Sequence, residues 1–405
     1  MKKIRKRILY VLFVVILVIV FNQVFWRQTS GDPNDIPTGA NAANNAPVSA
    51  DGESGKKETI SLSMVGDVLL HAPVTNSGRV ANGKYNFNHL FSHISSDIQG
   101  SDIAMVNQEV ILGGKQLGVG GYPTFNGPYE VADAIANAGF NVVLHATNHA
   151  LDKGRVGIQN CLTYWNKRYP YMKVVGINLS QKDQDRITIY EKGNFRVAIL
   201  NYTYGTNGIA IPSNMPYCVN VLKEGKVRED IRRAKKMADF VVVCPHWGTE
   251  YYTKVSDDQK KWAQIFLEEG VDLVIGTHPH VIGPVEWMTG SNGHKMLIYY
   301  SLGNFINATN ARKKDVSNQY IGIMAQVNIE KDSSGRVNIG EYRAIPLITH
   351  WPQTNTSKIT TYKVKDYSQN MVEQSRVRNL DSQFSYEYIK GFCKKILNDS
   401  MDLKN

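Results

Sequence analysis

From about Thr59 onward, short apolar runs alternate with segments whose apolar residues return every three or four positions. The first pattern predicts buried strands and the second amphipathic helices. Ile60 to Val65 reads as a strand ending in Gly66-Asp67, Phe87 to Ile98 as a helix, and Ile103 to Val106 as the next strand. Pro128 opens a helix that runs through Ala138 and stops at Gly139. Proline suits the first helical turn and glycine the residue beyond the last. Strand Val142 to His145 and helix Gly154 to Lys167 follow. Ile187 to Tyr204 divides into two strands at the turn Lys192-Gly193-Asn194. A basic amphipathic helix, Val227 to Ala238, leads to strand Phe240 to Cys244, and helix Lys260 to Glu269 leads to strand Val271 to Ile275. Met296 to Tyr300, Ile321 to Ile329 and Tyr342 to Ile348 complete the strands, and these late ones could form a second, antiparallel sheet. The alternation predicts an α/β layered fold with a largely buried sheet. After Trp351 the chain is polar, then helical from Tyr386 to Leu397.

The first residues follow another rule. Lys2, Lys3, Arg5, Lys6 and Arg7 precede an apolar run from Ile8 to Phe21, which resumes with Val24, Phe25 and Trp26. Counted through Trp26, the run is long enough to cross a hydrocarbon core as a helix. A basic flank on its N-terminal side orients the N-terminus to the cytoplasm. The reading is a single-pass cell-membrane protein with everything after Trp26 extracytoplasmic. A cleaved signal peptide is the alternative, but it calls for small residues at a cleavage site, and Arg27, Gln28 and Thr29 stand there. From residue 27 to 58 the chain is rich in Gly, Asn, Ala, Pro, Ser and Asp, a composition that cannot bury enough surface to offset its ordering entropy. The expected organisation is therefore a basic flank and anchor over 1–26, a flexible linker over 27–58, a globular domain over 59–350 and a partly helical extension over 351–405.

Composition changes this picture little. An apolar fraction of 42% and a charged fraction of 20% are ordinary for a folded chain of 405 residues. The formal net charge of +10 owes part of its excess to the N-terminal flank, and no nucleic-acid motif accompanies it, so nucleic acid is not an expected partner. Cys161, Cys218, Cys244 and Cys393 form no CxxC pair. An oxidising compartment permits a disulfide, but the spacing selects no pairing.

The candidate chemistry sits where predicted strands end, the usual place for sites on open α/β sheets. Gly66-Asp67 with His71, Asn107-Gln108-Glu109, Thr147-Asn148-His149 with Asp152, His246-Trp247-Gly248-Thr249-Glu250-Tyr251, and Gly276-Thr277-His278-Pro279-His280 each follow a strand. Taken singly, each has a plainer role: a turn or cap for Asp67 and Asn148, a solvated loop acid for Glu109, a hydrogen-bonded structural histidine for His246. Together, imidazole, carboxylate and amide oxygen suit divalent Mn, Fe or Zn. Two such ions need a bridging carboxylate and several neutral nitrogen ligands, and can act together in a phosphoester displacement. His278 and His280 would point the same way if Pro279 keeps that segment extended. His89 and His93 lie one turn apart on an amphipathic helix and read as surface or rim residues; His145 reads as packed, and His294 and His350 as isolated.

These motifs, with Asn148-His149-x-x-Asp152-x-Gly154 and Ser301-Leu302-Gly303-Asn304-Phe305, resemble the capsule-synthesis CapA family, which includes the poly-γ-glutamate biosynthesis protein PgsA. The resemblance runs in order from about residue 60 to 310. That family is similar to the calcineurin-like metallophosphatases, which implies a four-layer α/β/β/α sandwich, here with an N-terminal transmembrane helix, holding two divalent metals between opposing loops. The resemblance implies Asp67 and Glu109 as carboxylate ligands, with Glu109 bridging, Asn148 as an amide ligand and His246, His278 and His280 as imidazole ligands. It makes His149 the acid that protonates a leaving oxygen or a stabiliser of the transition state. His71, Asp152, Glu250 and Asn304 rank behind them. Two departures bear on one metal position. The usual Asp-x-His opening is Asp67-Val68-Leu69, and the usual bridging Asp motif is Asn107-Gln108-Glu109. Thr147 in place of glycine is milder.

Two functions follow. One is a metal-dependent hydrolase acting on a phosphoester or other anionic bond of a surface polymer. The other is a non-catalytic, polyanion-binding component of a capsule or poly-γ-glutamate assembly and export machine, working with other capsule-synthesis membrane proteins, because a cationic outer domain can hold a polyanion. A weaker third reading keeps the fold only as a surface adhesion module.

Overall fold

The computed structural model describes residues 58–311, 315–355, 358–400 and 402. The expected anchor over 8–26, and the linker up to residue 57, lie outside them. Among the described residues no helix is long and apolar enough to cross a membrane.

Two mixed sheets carry the chain. The first is organised on β1 (Glu58–Val68), whose residues from Leu62 onward are buried. It continues in parallel through β2 (Ile103–Asn107), β3 (Val142–Leu144) and β4 (Lys173–Val175). The second contains β5 (Thr188–Lys192), β6 (Phe195–Thr203), β7 (Phe240–His246), β8 (Leu273–Ile275), β9 (Val285–Thr289) and β10 (Lys295–Tyr299), in the order β5-β6-β7-β8-β10-β9. Its four inner strands are parallel and its two edges antiparallel. β11 (Asn304–Ile306) returns to pair with β1. β12 (Ile321–Lys331), β13 (Val337–His350) and β14 (Thr360–Lys363) then extend the first sheet from the other side of β1. The late strands β12 and β13 are antiparallel, as expected, but they do not form a sheet of their own. β12 zips onto β1 over Glu58 to Val65, which joins them to the parallel strands.

Side-chain alternation shows how the sheets are covered. Along β6, Val197 and Ile199 join the larger core while Ala198, Leu200 and Tyr202 join a second cluster. β7 repeats this with Phe240, Val242 and Cys244 against Val241 and Val243. Successive strand residues face opposite sides, so one face of the second sheet meets the first sheet and the other takes helices. The inner faces touch where Cys244 Sγ lies 3.9 Å from Met64 Sδ. Helices α1 (Glu130–Ala138) and α2 (Gly154–Arg168) bury Val131, Ile135, Ile158 and Trp165 in the larger core. Helix α3 (Glu224–Met237) places Val227, Ile231 and Ala234, at i, i+4 and i+7, in the second cluster. Helix α4 (Asp257–Glu268) joins it there, its start held by a capping box between Ser256 and Gln259. At the C-terminal end, β14 pairs with β13, and α5 (Tyr386–Leu397) buries Ile389, Cys393 and Leu397 in the larger core. All four cysteines are buried and unpaired.

The helix expected over Phe87 to Ile98 is instead two short pieces, a 3-10 turn at Asn88–Phe91 and a single helical turn at Ser95–Gln99. Phe87, Leu90, Phe91, Ile94 and Ile98 are all buried, so the spacing reported the packing face correctly. Ser92 and Ser95 donate to the carbonyls of His89 and Phe91 and compete with the helical ladder, and Ile94 leaves the helical region at φ −125°, ψ −2°. Short edge strands such as β4 and β9 carried too little apolar pattern to be read.

One close approach locks the functional end of β1. The Asp67 N–H donates to Gly303 O at 3.1 Å, and Asp67 pairs in register with Asn304. A Cβ on Gly66 would lie 1.9 Å from that same Gly303 oxygen. Gly66→Ala should therefore destabilise the chain by about 3 kcal/mol or more, because backbone cannot give way as a side chain can. Gly225→Ala, inside α3 with nothing within 4 Å of the added Cβ, should change stability in the opposite sense by about 0.5–1 kcal/mol. Urea denaturation of both variants checks the contrast.

Candidate metal centre

Every principal candidate lies at or just past the C-terminal end of a strand. Asp67 ends β1, Glu109 follows β2, Asn148 and His149 follow β3, His246 ends β7, and His278 and His280 follow β8. Parallel strands from both sheets therefore deliver these side chains to one place. All of them are buried.

Glu109 is the centre of the arrangement. Its Oε1 lies 3.6 Å from His280 Nε2, 3.8 Å from His246 Nε2 and 4.0 Å from His149 Nε2. These distances exceed hydrogen bonds. They approach the separation of about 3 to 3.5 Å between two ligands each roughly 2.1 Å from one first-row cation. Neither carboxylate oxygen of Glu109 has a hydrogen-bond partner, nor does His278 Nδ1 or Asn107 Oδ1, although all are buried. An orphaned buried charge costs several kcal/mol unless something pairs with it. The donor set thus fits divalent cations. Three groups bring their ligand atoms within 4.8 Å of one another: Glu109 with His246 and His278, Asp67 with Glu109 and His280, and Glu250 with His278 and His280.

The remaining contacts orient this set. Asn107 donates from Nδ2 to Asp67 Oδ1 at 2.8 Å, and the His278 N–H donates to Asp67 Oδ2 at 3.3 Å. His280 Nδ1 lies 3.0 Å from Asn304 Oδ1 and 3.2 Å from Asp67 Oδ2, which aims its Nε2 at Glu109. His246 is held between Thr277 Oγ1 and Asn148 Oδ1, each 2.9 Å from a ring nitrogen. His149 Nδ1 lies 2.7 Å from Asp152 Oδ2, and Asp152 is itself anchored by the Phe125 N–H at 2.7 Å.

The electrostatics agree with the geometry. Burial, helped by the charges of Asp67, Glu250 and Asp152 and opposed by His280, pushes the Glu109 carboxyl well above the usual range. Burial and the neighbouring histidines hold His246 and His278 well below theirs, so both rings are neutral nitrogen donors. Burial also works to lower His280, but Glu109 and Asp67 outweigh it and raise it to about 10. A divalent cation among these atoms would favour the ionised carboxylates and neutral imidazoles that bind it.

One expectation is corrected. His278 and His280 do not converge through an extended segment. Their φ angles are 99° and 59°, a left-handed backbone that non-glycine residues adopt at a cost of about 1–3 kcal/mol each. The bonds from His278 to Asp67 and from the Tyr251 N–H to Pro279 O at 2.7 Å hold it there.

Of the second-ranked residues, Asp152 and Asn304 orient histidines and Glu250 stands exposed at the cluster's edge. His71 packs edge-on to Phe125, 5.3 Å between ring centroids, and belongs to none of the ligand groups. Burial, then His280 and His149, lower it to about 4. His89 bonds to Ser77, His93 stacks on Tyr362, and His145 accepts from Trp165 at 3.2 Å, all outside the ligand groups. Sequence reasoning gave no role to Asn107, Thr277, Tyr204 or Asn207. Asn107 was visible only as a neighbour of Glu109. Asn207, which accepts from Asn148 Nδ2 at 3.3 Å and from the Tyr204 hydroxyl at 3.2 Å, comes from a loop with only an Asn-Gly turn signal.

Residues 61–309 match the family model of the bacterial capsule synthesis protein PGA_cap. That stretch contains every principal residue described above. The chain belongs to this family. Among curated relatives, the PGA biosynthesis protein CapA of Bacillus subtilis (strain 168) is 29% identical over 279 residues, covering 68% of this chain and 67% of that one. The capsule biosynthesis protein CapA of Bacillus anthracis is 29% identical over 265 residues, covering 62% of this chain and 60% of its own. Likenesses to solved structures are loose. The Haemophilus influenzae NAD nucleotidase NadN is 10% identical with a TM-score of 0.46, covering 86% of this chain and 65% of that one. The Thermus thermophilus sulfate thiohydrolase SoxB is 13% identical with a TM-score of 0.38, covering 76% and 45%. Scores at this level carry no weight for fold or chemistry.

For this PGA_cap chain the orphaned carboxylate makes a signed prediction. Glu109→Gln keeps the shape of the side chain but removes the carboxylate that faces His280 at 3.6 Å and that a divalent cation would need. The same change should abolish the stabilisation that added Mn²⁺ or Zn²⁺ gives the unsubstituted chain. Differential scanning calorimetry with and without metal reads the loss.

Proposed function

We propose that this chain is a membrane-anchored, extracytoplasmic member of its family that takes part in capsule or poly-γ-glutamate synthesis or export. In this reading its two-metal, metallophosphatase-like centre hydrolyses an anionic bond of the surface polymer. The family match and the names of the relatives support the polymer link. The two sheets with helices on their outer faces are consistent with an α/β/β/α sandwich. The anchor and its direction rest on the basic flank and apolar run before residue 27.

The observation that carries the catalytic reading is the Glu109 carboxylate, buried without a hydrogen-bond partner among His149, His246 and His280. Asp67, Glu109, Asn148, His246, His278 and His280 would hold the metals. Bound there, divalent ions would supply Lewis acidity and neutralise the charge of an anionic substrate. The chain's own contribution to proton movement is His149. Asp152 engages its Nδ1, so Nε2, the nitrogen facing Glu109, is the one left free to exchange a proton with a substrate. That geometry suits a group that donates to a departing oxygen. Phe125, edge-on at 4.7 Å, fixes the ring from the other side.

Purified full chain loaded with Mn²⁺ or Zn²⁺ should hydrolyse at least one member of a panel of generic phosphoesters or γ-glutamyl polymer. His149→Ala should lower turnover about 10²- to 10⁴-fold, the usual worth of a positioned acid, while leaving metal content unchanged. The formal charge of +10 favours a second reading, a non-catalytic polyanion-binding component. Salt-sensitive polymer binding that survives His278→Ala/His280→Ala, with no turnover on any substrate of the panel, would decide for it.

A further inference from the structure

The opening Asp67-Val68-Leu69 leaves the metal position beside Asp67 and His280 without the histidine that an Asp-x-His opening would supply. Leu69 is buried, and its N–H is committed to Ile306 O at 2.9 Å. His71 is the nearest histidine along the chain, but it packs against Phe125 and reaches none of the ligand groups. The carboxylate that does reach them is Glu250, from the loop after β7 in the other sheet. It shares one group of mutually close ligand atoms with His278 and His280. Its own side is exposed, whereas both histidines are buried and His278 Nδ1 has no partner.

Backbone contacts hold Glu250 beside those histidines. The next residue, Tyr251, is in a left-handed conformation at φ 64°, and its N–H donates to Pro279 O, between His278 and His280, at 2.7 Å. On the other side Gly248 has φ +92°, and a Cβ there would meet the side chain of Gln259 at 2.8 Å. Gln259 is fixed by the capping box with Ser256 and by donation to Tyr300 O at 3.2 Å. The Glu250 loop thus packs closely against Gln259 of α4 at one end and is hydrogen-bonded to the His-Pro-His turn at the other. A solvated surface acid needs no such support.

Building on the metal-centre reading above, we propose that Glu250 is a carboxylate metal ligand on the solvent side of the centre, acting with His278 and His280. The centre then has two buried carboxylates, Asp67 and Glu109, and an exposed one, Glu250. The exposed ligand is the one an incoming anionic substrate can displace, so the same residue sets both ion retention and access to the centre. An oxygen ligand also biases that position toward the harder ion, Mn²⁺ rather than Zn²⁺.

The test is metal uptake by the full chain, stripped with chelator and titrated calorimetrically with MnCl₂, with bound metal counted by mass spectrometry. The expected result is two ions for the unsubstituted chain. Glu250→Gln should lose one ion or bind it at least tenfold more weakly, with the apo unfolding midpoint unchanged because the side chain is exposed. Two ions retained at unsubstituted affinity by Glu250→Gln overturn the proposal. So does loss of an ion in His71→Ala with retention in Glu250→Gln. An unsubstituted chain that binds no ion at all overturns the metal-centre reading itself, an outcome distinct from either of these.

Discussion

A carboxylate with no hydrogen-bond partner, buried among imidazoles, is the constraint around which this protein is arranged. Glu109 could be made comfortable by two backbone donors or an arginine, as buried acids usually are. The chain instead surrounds it with His149, His246 and His280 at 3.6–4.0 Å and leaves both oxygens unsatisfied. Such an arrangement destabilises the fold unless a cation repays it. The left-handed backbone at His278 and His280 adds strain to the same few residues. Both costs fall where the two sheets present their strand ends to each other, and nearby contacts hold them there: the Gly66–Gly303 approach, the Asn107–Asp67 bond and the Tyr251–Pro279 bond.

This explains why two sheets are needed. The first contributes Asp67, Glu109, Asn148 and His149, so it supplies the buried carboxylates, the amide and the His149–Asp152 pair. The second contributes His246, His278 and His280, all the remaining imidazoles. Neither sheet alone holds a complete ligand set. The shared core that joins Met64 to Cys244 therefore does more than bury apolar surface. It sets the distance between two half-sites, and a shift of an ångström there would open both ligand groups that contain Glu109.

Much of this was legible in the residue pattern because buried parallel strands read as uninterrupted apolar runs, and polar residues that end such runs stand out. Asp67, Glu109, Asn148, His246, His278 and His280 were all found that way. What the pattern concealed had physical reasons. The His-Pro-His turn looked extended because local preference before proline is extended, and tertiary hydrogen bonds override it. The Phe87–Ile98 segment has helical spacing of buried residues but serine side chains that break the ladder. Asn207 and Thr277 act through contacts with residues distant in the chain, 59 positions away for Asn207 and Asn148 and 31 for Thr277 and His246, which no local window contains. Membership of the PGA_cap family was legible from the order of the motifs, whereas the part played by Glu250 needed the loops in three dimensions.

The central claim is that the donors around Glu109 bind divalent metal. Crystals of the full chain grown with MnCl₂, with data collected above the manganese absorption edge, test it most directly. The account predicts anomalous difference peaks within bonding distance of Glu109, one shared with His246 and His278 and one with Asp67 and His280. A map with no anomalous density at Glu109, from crystals whose protein is otherwise ordered at these loops, would contradict it.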